Sequence, residues 1–262
     1  MKRSPLARYW HRQRVAAGNA MRRVAGMRFR PLGLLAPIAL IATLPLPAMA
    51  REPVSTNATV SAADPRAAAA GQEILRKGGS ATDAAIAMML TLNVVEPHNS
   101  GIGGGGFLMH HDGQSGVLES IDGRETAPAA ARPDRFMGAD GKPLSFRNAW
   151  PGGYSVGVPG NLRLAWDAHR KWGKLPWADL FQPAIRAAEE GFEVRQRLDT
   201  AMKAVAGVWA DFPEIQKYFW IDGKPAPMGT ILKNPPLAAL FKRIAAEGPD
   251  AFYTGDNARL MA

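Results

Sequence analysis

The sequence predicts a protein of mixed helices and strands, in the α/β or α+β class. Helix start and stop signals recur between residues 65 and 246, and two short strand-like segments flank a turn at residues 112–116. Apolar residues make up 47% and charged residues 21% of the chain, which is an ordinary globular composition. Its 262 residues suffice for one large domain or two small ones.

The helices are predicted from their capping residues. The first begins at Pro65, behind Asp64, and ends before a Gly-Gly pair. Ser80 and Asp83 have capping-box spacing for a second helix, which Pro97 ends. This second helix is apolar nearly all round, so we expect it to be buried. Further helical patterns cover residues 161–171, 177–190, 198–208 and 236–246.

The predicted strands form a hairpin between the second and third helices. Strand-like residues 107–109 and 117–121 are separated by turn residues that include Asp112 and Gly113. After Gly123 the chain is predicted to be loop-rich as far as Gly160, because it contains five prolines in that interval.

Charge is distributed unevenly along the chain. The formal net charge is +9, but the first fifty residues hold nine of the 32 Lys and Arg residues and no Asp or Glu. The remaining 23 basic residues equal the 23 acidic ones. A neutral body lacks the basic surface that phosphate binding needs, so nucleic acid is not an expected partner.

The first fifty residues resemble an export signal. A basic flank precedes an apolar segment at residues 32–44, which is short for a bilayer span, and Ala48-Met49-Ala50 fits a cleavage site. We expect a signal peptide over residues 1–50, cleaved after Ala50, with translation starting at Met1, Met21 or Met27. The mature protein would be periplasmic or secreted, without stable membrane insertion. An uncleaved anchor is the alternative.

Two glycine-containing motifs are rejected as functional sites. The glycines at 101, 103 and 106 have dinucleotide-binding spacing, but they follow a helix and precede a strand, the reverse of the required order. We expect these glycines to permit close backbone approach or positive φ. Ser155 lies in a Gly-x-Ser-x-Gly pattern, yet His169 is the only downstream histidine and lies on a predicted helix, so no triad is expected.

No cofactor or metal site is predicted. The chain has no cysteine, which excludes disulfides, thiolate catalysis and Cys-ligated zinc or iron–sulfur sites. His98 lacks a histidine at helical ligand spacing, while His110 and His111 are adjacent on a strand and point to opposite faces.

Arg124 is the one candidate substrate-binding residue. It follows the second predicted strand, within Asp122-Gly123-Arg124-Glu125-Thr126-Ala127-Pro128. A guanidinium binds a carboxylate through two parallel hydrogen bonds, which suits an acidic substrate. The alternative is an arginine that is merely paired with Glu125 or Asp122 in a solvated loop.

Five stretches in order make the sequence resemble the N-terminal, large-subunit portion of the γ-glutamyltranspeptidase (γ-glutamyltransferase) family. The resemblance spans roughly residues 65–256. The five stretches are residues 70–85 (AGQEILRKGGSATDAA), 95–105 (VEPHNSGIGGG), 122–128 (DGRETAP), 155–160 (SVGVPG) and 248–253 (GPDAFY).

The resemblance implies an α+β fold, the αββα stacked sandwich of N-terminal-nucleophile hydrolases, incomplete in this chain. Such precursors cleave themselves into large and small subunits. The small subunit's new N-terminal threonine then attacks a γ-glutamyl amide such as glutathione and transfers the acyl group to an amino acid, a peptide or water. By this resemblance Arg124 would hold the α-carboxylate of the γ-glutamyl substrate.

The sequence departs from the family in lacking the nucleophile. Thr200, Thr230 and Thr254 have the wrong neighbours, so we expect the catalytic threonine beyond residue 262 and residues 51–262 to form a partial large-subunit domain. We expect the chain alone to be inactive and to need the small subunit as its partner. The alternatives are a truncated, non-catalytic product that binds γ-glutamyl compounds or a partner subunit, and a related cephalosporin or glutaryl acylase.

Overall fold

The computed structural model describes residues 58–261. The predicted signal peptide and its cleavage site lie outside these residues. Within 58–261 the structure is mainly helical, with three two-stranded antiparallel sheets. The mixed class is therefore confirmed, whereas a stacked four-layer sandwich is not seen in this part of the chain. No helix in the described region has the length and apolarity needed to cross a membrane.

Helices α1 (Pro65–Arg76) and α2 (Ala81–Val95) form the start of the core, as predicted. Asp64 caps α1, and Ser80 with Asp83 makes the expected capping box on α2. Ten of the fifteen residues of α2 are buried, which agrees with its apolar sequence.

The Asp83 carboxylate also joins α2 to a distant turn. Its Oδ2 atom accepts hydrogen bonds from the backbone N–H groups of Ser80, Lys174 and Leu175 at 2.9, 2.9 and 3.1 Å. Asp83 is fully buried. Three N–H donors offset the cost of desolvating its charge, so this side chain fixes where α2 begins.

Strands β1 (Gly106–His111) and β2 (Leu118–Gly123) form the predicted hairpin, with Gly106 opposite Gly123. One face, which includes Leu108 and Ile121, packs against the core. The other face leaves three large apolar side chains exposed: Phe107, Met109 and Leu118. The hairpin is therefore apolar on both faces, although only one is covered in the described structure.

The remaining elements follow β2, the first of them inside the proline-rich segment. They are α3 (Phe146–Ala149), α4 (Asn161–Trp172), α5 (Gln182–Glu190), β3 (Phe192–Glu193), α6 (Gln196–Trp209), α7 (Pro213–Phe219), β4 (Trp220–Ile221), β5 (Lys224–Pro225), β6 (Ile231–Leu232), α8 (Pro235–Glu247), α9 (Asp250–Tyr253) and α10 (Gly255–Met261). Short 3₁₀ helices occupy Gly153–Ser155 and Trp177–Phe181, so the helix predicted over 177–190 begins as a 3₁₀ turn.

Helix α2 lies at the centre of the packing, in contact with α1, α4 and α5, while α8 packs on α5. Aromatic side chains fill the space between these helices. Trp177 packs edge-on against Trp166 and Phe181, and its indole N–H donates to the Ile244 carbonyl at 3.1 Å. The hairpin rests on α4, which places the end of β2 beside the start of that helix.

Candidate functional site

Arg124 lies immediately after β2, where the chain leaves the hairpin. Its backbone N–H donates to Asp122 Oδ1 at 2.9 Å, and this short turn sets the direction of the chain. The guanidinium Nη1 is 3.1 Å from Glu125 Oε2. The Arg124 side chain is 58% exposed, so it can still reach a ligand. The ion pair with Glu125 also matches the alternative interpretation of this residue.

Three glycines from two other segments touch the chain around Arg124. A Cβ added to Gly105 would lie 2.5 Å from the Gly123 carbonyl oxygen, and one added to Gly160 would lie 2.1 Å from the same oxygen. A Cβ on Gly157 would lie 2.8 Å from Glu125 Cβ. Close backbone approach is thus confirmed for Gly105, whereas no glycine from 101 to 106 has positive φ.

Backbone hydrogen bonds join the same segments. Val158 N–H donates to the Thr126 carbonyl at 2.8 Å, and the N–H groups of Gly160 and Asn161 both donate to the Gly104 carbonyl at 3.0 Å. The Asn161 amide Nδ2 donates to the Gly101 carbonyl at 2.7 Å. These bonds hold the glycine loop, the Arg124 segment and the start of α4 together.

Tyr253 connects α9 to this turn. Its hydroxyl donates to the Pro159 carbonyl at 2.9 Å and accepts from the Arg163 N–H at 3.3 Å. Burial raises the pKa of Tyr253 above its ordinary value. The hydroxyl therefore remains protonated, and able to donate, across the neutral pH range.

Two grooves meet at Arg124. The first has a volume of about 950 Å³ and runs between the glycine loop, α2 and β1. The second, of about 530 Å³, runs along residues 124–136 and 154–157. The grooves share Gly103, Arg124, Glu125 and Val156. A ligand bound to the Arg124 guanidinium could therefore extend into either groove.

The Glu125 carboxylate faces this junction. Its Oε2 atom is shielded from solvent and has no hydrogen-bond partner among the described residues, since the contact with Arg124 is an ion pair without hydrogen-bond geometry. The charges of Arg124 and Glu125 cancel where the grooves meet. The N–H groups of the Arg124 guanidinium that do not face Glu125 remain available to a ligand.

The rejected motifs have structural roles. Ser155 lies in a 3₁₀ helix, where its hydroxyl is 2.5 Å from the Trp150 carbonyl oxygen. His169 lies on α4 and donates from Nε2 to the Leu175 carbonyl at 2.8 Å. The two residues form no triad. The glycine loop follows α2 and precedes β1, as the rejection of a dinucleotide site required.

The histidines behave as single side chains. His110 stacks on Trp172 with ring centroids 4.3 Å apart, whereas His111 on the opposite face is exposed. Residues 58–261 contain no group of three or more His, Asp or Glu side chains placed to hold a metal ion. Thr200, Thr230 and Thr254 line neither groove.

Sequence reasoning missed two residues of the site. Asn161 holds the glycine loop, and the only signal for it was its place at the start of a helix behind Pro-Gly. Arg135 lines the second groove, but nothing in its local sequence distinguishes it from other loop arginines. Both contributions depend on contacts between segments that are distant in sequence.

Comparison with known proteins agrees with this arrangement. The family profile described as gamma-glutamyltranspeptidase matches residues 67–262. The glutathione hydrolase proenzyme of Bacillus subtilis (strain 168) is 39% identical over 215 residues, which cover 80% of this chain and 35% of that protein. The chain thus spans about a third of the length of this curated relative.

Solved structures give the same result. Gamma-glutamyltranspeptidase from Pseudomonas nitroreducens, complexed with L-DON, superposes with a TM-score of 0.71 at 36% identity, covering 78% of this chain and 59% of that one. Cephalosporin acylase from Bacillus halodurans gives a TM-score of 0.62 at 29% identity, covering 74% of this chain and 36% of that one. The profile match and the curated relative together show that the chain belongs to the gamma-glutamyltranspeptidase family.

Proposed function

We propose that this chain supplies the carboxylate-binding part of a γ-glutamyl transferase/hydrolase, with Arg124 as the anchor for the substrate's α-carboxylate. The observation that carries the proposal is the position of Arg124. Its backbone is held by close glycine contacts, while its guanidinium is exposed where two grooves meet. Bidentate carboxylate binding requires a fixed backbone and a guanidinium group that the ligand can reach.

Glu125 serves as the positioning residue in this proposal. Its ion pair with Nη1 restricts the rotation of the guanidinium, which reduces the entropy lost when a carboxylate binds. The bound γ-glutamyl group would extend from Arg124 into one of the two grooves and present its γ-amide there, away from the arginine.

The nucleophile of this reaction would come from the small subunit, so the chain alone would be inactive. The exposed apolar face of the hairpin supports this partner, because Phe107 and Met109 are 68% and 69% exposed next to each other on one face of β1. In this proposal the small subunit covers that face and completes the αββα stack. The predicted signal peptide would direct the protein to the periplasm or the exterior.

Ligand binding and activity test the proposal separately. We expect the purified chain to bind γ-glutamyl-methylamide by calorimetry, and Arg124→Gln to weaken this binding about tenfold or more. Arg147→Gln is the matched control, since it removes the same charge from an exposed arginine that lines neither groove. Equal binding by wild type and Arg124→Gln would refute the anchor role.

Activity distinguishes the remaining alternatives. The chain alone should release no p-nitroaniline from γ-glutamyl-p-nitroanilide, and release would show that it carries its own nucleophile. Joined to a small subunit, it should release p-nitroaniline, and persistent inactivity of that complex would favour a non-catalytic binding protein. The structural likeness to a cephalosporin acylase supplies a second candidate function. A complex that prefers glutaryl-p-nitroanilide over the γ-glutamyl compound would favour the acylase.

A further inference from the structure

Asn161 is the first residue of α4 and lies in the wall of the first groove. It is only 8% exposed, whereas asparagine is usually found at the surface of a protein. A buried amide needs hydrogen-bond partners to offset the loss of water. The partners of Asn161 therefore indicate why a polar side chain is buried at this position.

Those partners lie in the glycine loop, which consists of residues 101–106 and has five glycines among its six residues. The Asn161 side-chain Nδ2 donates to the Gly101 carbonyl at 2.7 Å, and its backbone N–H donates to the Gly104 carbonyl at 3.0 Å. Among the described residues, Asn161 supplies the only side-chain hydrogen bond to this loop. Glycine restricts its own backbone less than any other residue, so the conformation of the loop depends on such external bonds.

The glycine loop presses against the Glu125 carboxylate. A Cβ added to Gly104 would lie 3.5 Å from Glu125 Oε1, and one added to Gly105 would lie 2.7 Å from Glu125 Oε2. The main chain of the loop therefore limits the positions that this carboxylate can take. Because Glu125 Oε2 is 3.1 Å from Arg124 Nη1, the same contacts limit the orientation of the guanidinium.

We propose that Asn161 is a positioning residue for the Arg124 anchor and acts through the glycine loop and Glu125. The inference rests on the proposed function, because it takes Arg124 as the residue that binds the α-carboxylate. Without the Asn161 amide, the loop gains freedom and the guanidinium loses part of its fixed orientation. A ligand must then order the guanidinium as it binds, which lowers its affinity. Asn161 needs no contact with the ligand for this effect.

The test measures the preference of the full chain between two probes by calorimetry. γ-Glutamyl-methylamide carries the α-carboxylate, whereas 4-aminobutanoyl-methylamide is the same molecule without it. We expect wild type to bind the first probe about tenfold more tightly, because only that probe can pair with Arg124. A general loss of folding would weaken the binding of both probes equally. The preference therefore reports on the anchor and not on stability.

Two variants of nearly equal shape isolate the hydrogen bond to Gly101. Asn161→Val has no donor, and we expect it to lower the preference about threefold or more. Asn161→Thr has a hydroxyl that can donate to the Gly101 carbonyl, so it should retain most of the preference. Asn148→Val is the matched control and should bind both probes as wild type does, because Asn148 is exposed and lines neither groove. Asn161→Ala repeats the test if Asn161→Val does not fold.

The outcomes separate this inference from the proposed function. If wild type prefers γ-glutamyl-methylamide but Asn161→Val or Asn161→Ala keeps the full preference, the positioning role is refuted and the anchor role stands. An equal loss of preference in Asn161→Val and Asn161→Thr would also refute it, since the hydrogen bond would not be the cause. If wild type shows no preference, or binds neither probe, both proposals fail.

Discussion

Adding one methyl group at Gly160 should displace the Arg124 segment without removing any side-chain contact. Gly160 has φ −112° and ψ −23°, which alanine can adopt, so the substitution introduces no backbone strain. The new Cβ would lie 2.1 Å from the Gly123 carbonyl oxygen and 3.0 Å from that of Arg124. A tolerable contact needs about 3.2 Å, so one of the two segments must move by roughly 1 Å.

The cost of this movement follows from what holds the two segments. Both are main chain, and their hydrogen bonds to Gly104 and Thr126 oppose a shift. Overpacking of this kind costs about 1–3 kcal/mol. We expect Gly160→Ala to lower the free energy of unfolding by that amount and to weaken γ-glutamyl-methylamide binding about tenfold, because the Arg124 fork moves with its backbone.

Urea denaturation followed by circular dichroism measures the first effect and calorimetry the second. Gly153→Ala is the matched control, since a Cβ there meets nothing within 4 Å and it lies in the neighbouring turn. It should leave both quantities near wild type. A Gly160→Ala variant with wild-type stability and affinity would show that the close contacts around Gly123 do not determine the position of Arg124.

Three other features can be tested. Asp83→Ala leaves three partly buried N–H donors without their acceptor and should cost about 3 kcal/mol in urea denaturation. An unchanged midpoint would contradict the role assigned to this carboxylate. Burial, with Arg197 nearby, lowers the pKa of His98 below its ordinary value of 6.5, despite the opposing effect of Glu96. The unfolded chain then binds the proton more readily than the folded chain. The free energy of unfolding should therefore decline as pH falls from 6.5 through the lower folded-state pKa. His98→Gln should show a smaller decline in melting temperature over that pH range. Phe107→Thr should reduce aggregation of the isolated chain, measured by light scattering. It should not lower the melting temperature, because the Phe107 side chain is 68% exposed. Unchanged aggregation would show that another surface causes it.

Local signals in the sequence were enough for the longer helices and the hairpin. The capping residues around Asp64 and Ser80, and the turn after Asp112, depend on neighbours within a few positions. Four short helices were missed, because none is longer than seven residues and so none gives a periodic apolar pattern. They are Phe146–Ala149, Pro213–Phe219, Asp250–Tyr253 and Gly255–Met261.

The site was only partly predictable for a different reason. Arg124 was recognisable because its ligand chemistry belongs to one side chain in a short motif. The grooves were not, because Asn161 reaches back sixty residues to Gly101, and Arg135 takes its position from carbonyls almost twenty residues away. No local pattern records such contacts, and the family resemblance implied only the anchor.

The hydroxyl of Tyr253 gives the C-terminal part of the described chain a direct connection to the grooves. It bonds to the Pro159 carbonyl, one residue before Gly160, while Asp250 in the same short helix contacts Arg163 at 3.2 Å. A movement of α9 would therefore pull on the turn that packs against the Arg124 segment. The position of that turn is therefore coupled to the position of α9 through one hydroxyl group.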